Sequence, residues 1–406
     1  MLNRRSLLVA AGLASLNYLL SGCRAPSQAL RIRVLDDAVP AQILQEFQRR
    51  LAIEPEANSA SPLGAVKFVV SPQLADLFEL LQTWKNPAPP PRISLPGTTR
   101  PTPIDDLIML GDYWLSAAIQ QKLIQPLPLE SLAGWSQLPL VMQQLVRRDS
   151  QGQPSPTGQI WGAPYRWSSL VIAYNVERFE QLGWQPSDWS DLWRPELRRQ
   201  ISLLDSARAT IGLTLKKLGQ SANLADLSQA PALTNELEAL QQQVKFYSST
   251  DYLQPLMLGD SWLAVGWSTE VLPIAERDRR IAAVAPASGS LLSADLWVRP
   301  AAQAQAGNPA QNQNQNQASP NLPPSLIQWL EFCWQPEIAA QISLLSAAAS
   351  PLLLLNRDLL SPSLQKRAVL LPPSSAVERS EFLLPLSDPE AYRRLWTAVR
   401  QMVQAT

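Results

Sequence analysis

Short apolar runs punctuated by polar turns alternate along this chain with longer stretches in which hydrophobic residues recur every three or four positions. Leu30–Leu35 reads as a first strand, ending at Asp36-Asp37 ahead of Pro40. An amphipathic helix follows, with Ile43, Leu44, Phe47 and Leu51 on one face. Val66–Val70 is a second strand and Pro72–Trp84 a second helix, the βαβ opening of a doubly wound lobe. Asp106–Leu110 gives a third strand, ending in Gly111-Asp112-Tyr113-Trp114, with a helix over Leu115–Lys122. A further helix is predicted over Leu140–Val146, with Pro139 at its start. Leu170–Tyr174 is a short buried strand preceded by a turn at Gly162-Ala163-Pro164-Tyr165. Ile201–Leu204, Ser261–Gly266, Ile281–Val284 and Ala294–Val298 read as strands, and helices fall at Ala209–Leu218, Leu233–Val244, Leu326–Cys333, Pro336–Leu344 and Pro389–Val403. On the last helix, Tyr392, Leu395 and Val399 mark the packed face.

Two stretches break the pattern. Asn86–Pro103 carries seven prolines, which cannot donate to a sheet or helix, and reads as an extended insertion. Residues 301–324 form a Gln/Asn/Ala/Pro tract too polar to bury a core, predicted to be a disordered loop.

The N-terminus reads as a targeting segment. Arg4 and Arg5 precede an apolar stretch, Ser6–Leu20, too short to span a bilayer comfortably. Leu20-Ser21-Gly22-Cys23 looks like a bacterial lipobox, so residues 1–23 are expected to be a lipoprotein signal peptide and Cys23 the lipidated residue, with 24–30 a polar tether. Asn3-Arg4-Arg5-Ser6-Leu7-Leu8 also approaches a twin-arginine signal, which leaves Sec or Tat export open.

Composition narrows the chemistry. With 406 residues, 46% of them hydrophobic, the chain can bury one large core or two ordinary ones. The 34 basic and 34 acidic residues cancel, so nothing suggests a nucleic-acid surface. Histidine is absent, which removes the commonest general base and the commonest metal ligand. Two distant cysteines make neither a disulfide framework nor a zinc site, and Cys333 is expected to be a buried thiol. No Gly-x-Ser-x-Gly stands at a strand-to-helix turn. No enzyme, cofactor or metal is therefore expected.

The middle of the chain carries the resemblance. Pro164-Tyr165-Arg166-Trp167, Asp188-Trp189-Ser190-Asp191-Leu192-Trp193-Arg194-Pro195-Glu196, Leu203-Leu204-Asp205-Ser206-Ala207-Arg208 and Lys217-Leu218-Gly219 occur in that order. In this the chain resembles the bacterial spermidine/putrescine-binding proteins, among the extracellular solute-binding proteins that serve ABC importers. The resemblance implies a two-lobed α/β fold of the type II periplasmic-binding-protein kind, each lobe a mixed sheet flanked by helices and the lobes hinged by crossover strands. Residues 31–166 would form lobe 1, 167–293 lobe 2 and 294–345 the return to lobe 1, with 346–406 packing mainly on lobe 2.

Ligands of open α/β sheets lie beyond the carboxyl ends of the strands. The strand ends converge on Asp36, Asp37, Asp112, Tyr113, Trp114, Trp167, Ser206, Trp267 and Asp295. Aromatic faces with interspersed carboxylates suit an organic cation. By the resemblance, Tyr113 and Trp114 stand at a ligand-contacting tyrosine pair, Trp267 at a stacking tryptophan, and Asp295 at the acid that pairs with an amine. Asp37 keeps an acid where the family's aromatic N-terminal box is otherwise lost, whereas Ser206, Ala209 and Ser293 replace family acids and a tryptophan. Arg166 is expected to face solvent or to pair with Asp112. A ferric-ion binder is disfavoured, because Tyr113 has no neighbouring tyrosine. The implied role is capture of a polyamine or related small organic solute for ABC permease subunits by a periplasmic protein tied to the membrane through its lipid. The alternative is a scaffold or partner-binding lipoprotein that kept the fold and lost the ligand.

Overall fold

A computed structural model describes residues 30–53, 66–86, 103–301, 322–355 and 360–402. The predicted lipobox with Cys23, the tether up to Ala29, and nearly all of both the proline-rich insertion and the Gln/Asn tract lie outside these.

The strands, in chain order, are β1 (Leu30–Leu35), β2 (Val66–Ser71), β3 (Leu107–Gly111), β4 (Ile124–Gln125), β5 (Arg147–Arg148), β6 (Gln159–Ile160), β7 (Ala163–Asn175), β8 (Ile201–Leu204), β9 (Val244–Ser248), β10 (Leu263–Trp267), β11 (Ile281–Val284), β12 (Leu291–Pro300) and β13 (Glu381–Phe382). Two sheets share the long strand β7. In the first, β2, β1 and β3 are parallel, and β12 runs antiparallel between β3 and the first half of β7. In the second, the other half of β7 is antiparallel to β10 and β11, and β10, β8 and β9 are parallel. The fold is thus a two-lobed α/β arrangement whose lobes are joined through the crossover strand β7.

Burial follows position in the sheet. All five residues of β3, Leu-Ile-Met-Leu-Gly, are buried, as a central strand covered on both faces requires, whereas edge strand β2 shows exposed residues. An aromatic knot of Phe47, Trp297, Trp329 and Phe332 closes the first core, with ring centroids 4.9 to 5.9 Å apart. The second core gathers Phe179, Trp189, Leu192 and Leu203, and Trp189 donates its indole N–H to the Gly289 carbonyl (2.9 Å). Leu352–Leu354, Leu364, Leu370, Leu371 and Phe382 belong to the first core, whereas Tyr392 and Val399 of the final helix (Pro389–Met402) pack on Ile211 and Leu215 of the second lobe. Cys333 is buried and free, and burial pushes its thiol well above the usual value.

Edge strand β9 was not foreseen, because Lys245, Phe246 and Tyr247 bury too little to show a strand period, and the predicted helix stops at Gln243. The predicted strand at Ser261–Gly266 is observed at Leu263–Trp267, so Trp267 itself closes the strand.

Candidate functional site

A cleft of about 820 Å³ opens between the lobes. The first lobe contributes the turn after β1 (Asp36, Asp37), Tyr113 after β3, Arg166 of β7, and Ser293 and Asp295 of β12. The second contributes Trp267 at the end of β10 and Glu270, Glu276 and Arg277 from the helix Ser268–Arg277. Five acids thus face three arginines, since Arg367 also reaches the rim. Glu276 accepts from Arg367 at 2.8 Å, so that rim pair cancels.

Local backbone builds this wall. Asp37 sits at φ 58°, a left-handed conformation that Asp tolerates because its short side chain can bond locally. Ala347, also lining the cleft, has φ 53°, a conformation that costs free energy for a residue with a plain Cβ. Trp267 is placed by Gly266: a Cβ there would lie 2.4 Å from the Tyr252 ring, so only glycine lets that ring pack beneath the strand end. The Tyr252 hydroxyl in turn donates to the Glu270 carboxylate. Glu270 was missed in the sequence because it lies inside a helix and not at a strand terminus.

Asp36, Asp37, Tyr113, Trp267 and Asp295 come together in the cleft, and Tyr113 is 57% exposed there. Trp167 does not join them. It is 1% exposed in the first core, with its indole N–H donated to the Ser350 carbonyl (3.2 Å) and its backbone bridged to Ala349. Strand alternation at the crossover turns it away from the seam that its neighbour Arg166 lines. Trp114 does not line the cleft either; it stacks on Phe78 at 4.3 Å and backs Tyr113 at 4.7 Å. Ser206 lines a second cavity, where its hydroxyl accepts the Ala209 N–H and caps the helix Ala207–Lys217.

Arg166 neither faces solvent nor pairs with Asp112. Its Nε donates to Asp295 Oδ2 at 2.6 Å and its Nη1 to the Ser346 carbonyl at 3.1 Å. The two residues are direct cross-strand partners on β7 and β12, beside a register shift at Asp295/Leu296 that distorts the ladder. The acid expected to meet an amine is therefore already neutralised by the protein.

Asp112, near the seam, is a buried carboxylate. It is 4% exposed, and its Oδ1 accepts from Ser293 Oγ at 2.7 Å.

Comparisons with known proteins agree with this architecture. The family described as bacterial extracellular solute-binding protein matches residues 102–376. The spermidine/putrescine-binding periplasmic protein of Escherichia coli (strain K12) is 24% identical over 277 residues, covering 68% of this chain and 72% of that protein. The putrescine/cadaverine-binding protein of Pseudomonas aeruginosa is 25% identical over 260 residues, covering 60% of this chain and 67% of its own. Among solved structures, the spermidine/putrescine ABC transporter substrate-binding protein of Streptococcus pneumoniae superposes with a TM-score of 0.69 at 19% identity, over 92% of this chain and 99% of that one. The matched span takes in Tyr113, Arg166, Trp267 and Asp295, and the chain belongs to the bacterial extracellular solute-binding protein family.

Proposed function

We propose that the chain captures a polyamine, or a related small organic cation, between its lobes and delivers it to the permease subunits of an ABC importer. The observation that carries this reading is the pairing of two aromatic side chains, Tyr113 from one lobe and Trp267 from the other, on a cleft with more acids than arginines. A cation between ring faces is attracted by their quadrupoles, and the attraction grows as closing lobes exclude water. The names of the relatives point to the same solute class. Because Asp295 is engaged by Arg166, Asp36, Asp37 and Glu270 are the cleft acids left to meet positive charge. Export to the periplasm and attachment through a lipid on Cys23 complete the proposal, the small residues Ser21-Gly22 before that cysteine being its support.

Titration calorimetry with putrescine and spermidine tests it. Either should bind, and Trp267→Ala should weaken the binding by roughly three- to thirtyfold, the span of about 0.5 to 2 kcal/mol for a cation–aromatic contact. No heat from either amine would sink the polyamine reading, as would a Trp267→Ala protein that binds both unchanged.

A further inference from the structure

Beyond the cleft lies a second cavity of about 440 Å³. Tyr113, Trp267 and Ser293 line both, so the two spaces adjoin across these three residues. The second is walled otherwise by Asp112 from the first lobe, by Leu204, Ser206 and Arg208 from the second, and by the chain around Leu384.

The polar groups on the second-lobe side are already satisfied. Ser206 Oγ accepts from the Ala209 backbone. Arg208 donates to the Ala222 carbonyl at 2.5 Å, to Asn223 Oδ1 at 2.5 Å and to the Leu384 carbonyl at 3.3 Å. Asp112 differs. Its Oδ1 takes the Ser293 hydroxyl and the Ala294 backbone N–H also lies toward the carboxylate, but its Oδ2 is buried with no well-formed hydrogen bond among the described residues. A carboxylate oxygen left in that state costs free energy that a donor brought by a ligand would recover.

We propose that Asp112 is a specificity-determining residue: it fixes one ammonium end of an elongated organic cation that runs from the cleft, past Tyr113 and Trp267, into the second cavity. The inference rests on reading the cleft as a cation site and adds where the far end of the solute is held. It also resolves the charge problem in that site. Asp295 is tied to Arg166, and Ser206 and Ala209 bring no charge, so Asp112 is the buried acid with an oxygen to offer.

The surroundings of Asp112 give this anchor a pH dependence. Burial pushes its carboxyl up to about 7; the Ser293 hydroxyl and the Ala294 backbone oppose that, Asp295 of β12 adds to it, and Arg148 of β5 opposes it. Arg166 of β7 is held by Asp295 and the Ser346 carbonyl, and Arg208 stands across the cavity bound to its three acceptors. Below its pKa the carboxyl is neutral and must release a proton to meet an ammonium. Affinity should therefore rise with pH up to neutrality and level off above it.

Calorimetry on the purified protein with putrescine and spermidine, at about pH 6 and about pH 8, reads this directly, since each pH unit below the pKa costs about tenfold in affinity. Binding should be roughly tenfold weaker at the lower pH. Asp112→Asn, which keeps an acceptor for Ser293, should flatten the pH dependence and weaken binding at the higher pH by about ten- to hundredfold, the worth of a hydrogen bond to a charged group. Ser293→Ala is the second probe: it removes a bond that favours the charged form and should move the midpoint upward. Amine binding that survives Asp112→Asn with its strength and pH dependence intact would overturn the role of Asp112 and leave the cleft reading standing. An unmoved midpoint in Ser293→Ala would count against the same role. Failure of the unaltered protein to bind either amine would overturn both.

Discussion

Replacing Asp295 by alanine removes the acceptor that holds Arg166 across the β7–β12 ladder. Arg166 is 5% exposed, and the change leaves its guanidinium, among the described residues, with one hydrogen bond, to the Ser346 carbonyl. Two unit charges about 4 Å apart at an effective dielectric of about 20 attract by about 4 kcal/mol. Removing one partner of a buried pair characteristically costs about 3–5 kcal/mol, because the survivor is stranded in a poor solvent for charge. Asp295→Ala should thus destabilise the first lobe by about that much, whereas the double change Arg166→Met/Asp295→Leu, which strands nothing, should come within about 1 kcal/mol of the parent. Urea unfolding followed by tryptophan fluorescence measures both, and the double-mutant cycle gives the coupling. The reasoning fails if Asp295→Ala costs less than about 1 kcal/mol, or if the double variant is as unstable as the single one. Either result would mean that Asp295 is held ready for a ligand and not for Arg166.

Two further predictions follow from packing and titration. Gly266→Ala forces a methyl to 2.4 Å from the fully buried Tyr252 ring and should lower stability by about 1–3 kcal/mol, so an unchanged melting midpoint would show that the ring has room to retreat. Burial raises the Glu381 carboxyl, but bonds from Ser221 and Lys216 outweigh it and hold the group below the usual glutamate value. Its stabilising effect is therefore complete above the unfolded pKa and is lost as pH falls through the lower folded one. Glu381→Gln should narrow the stability gap between neutral and acid pH, and equal acid sensitivity in both proteins would refute the assignment.

Most of the elements were legible in the sequence because burial imposes a period on it. β3 reads as a continuous apolar run since it is covered on both faces, and the final helix shows Tyr392 and Val399 at helical spacing since one face packs. What could not be read is register. Arg166 and Asp295 lie 129 positions apart, and only the β7–β12 pairing makes them neighbours. The same blindness put Trp167 in the cleft: adjacency to Arg166 in sequence means the opposite face in a strand, and which face meets the seam depends on the partner strand. β9 escaped for a simpler reason, its middle residues being too exposed to leave a pattern.

Charge pairing therefore shapes the cleft more than charge content does. A carboxylate that already holds a guanidinium at 2.6 Å has no strong preference left to express toward an ammonium, whereas one buried without a partner for its second oxygen has all of it. Asp295, in the middle of β12, and Asp112, just past the end of the neighbouring β3, are one in each condition, and Ser293 on β12 bonds the second while lining both cavities. Moving the available acid from β12 to the end of β3 shifts the favoured position of positive charge from the cleft toward the second cavity. A solute able to use both spaces must carry charge at separated points along a chain. A compact single-charge cation could meet the aromatic pair and Asp112 within the second cavity, whereas an elongated one also reaches the acids of the cleft.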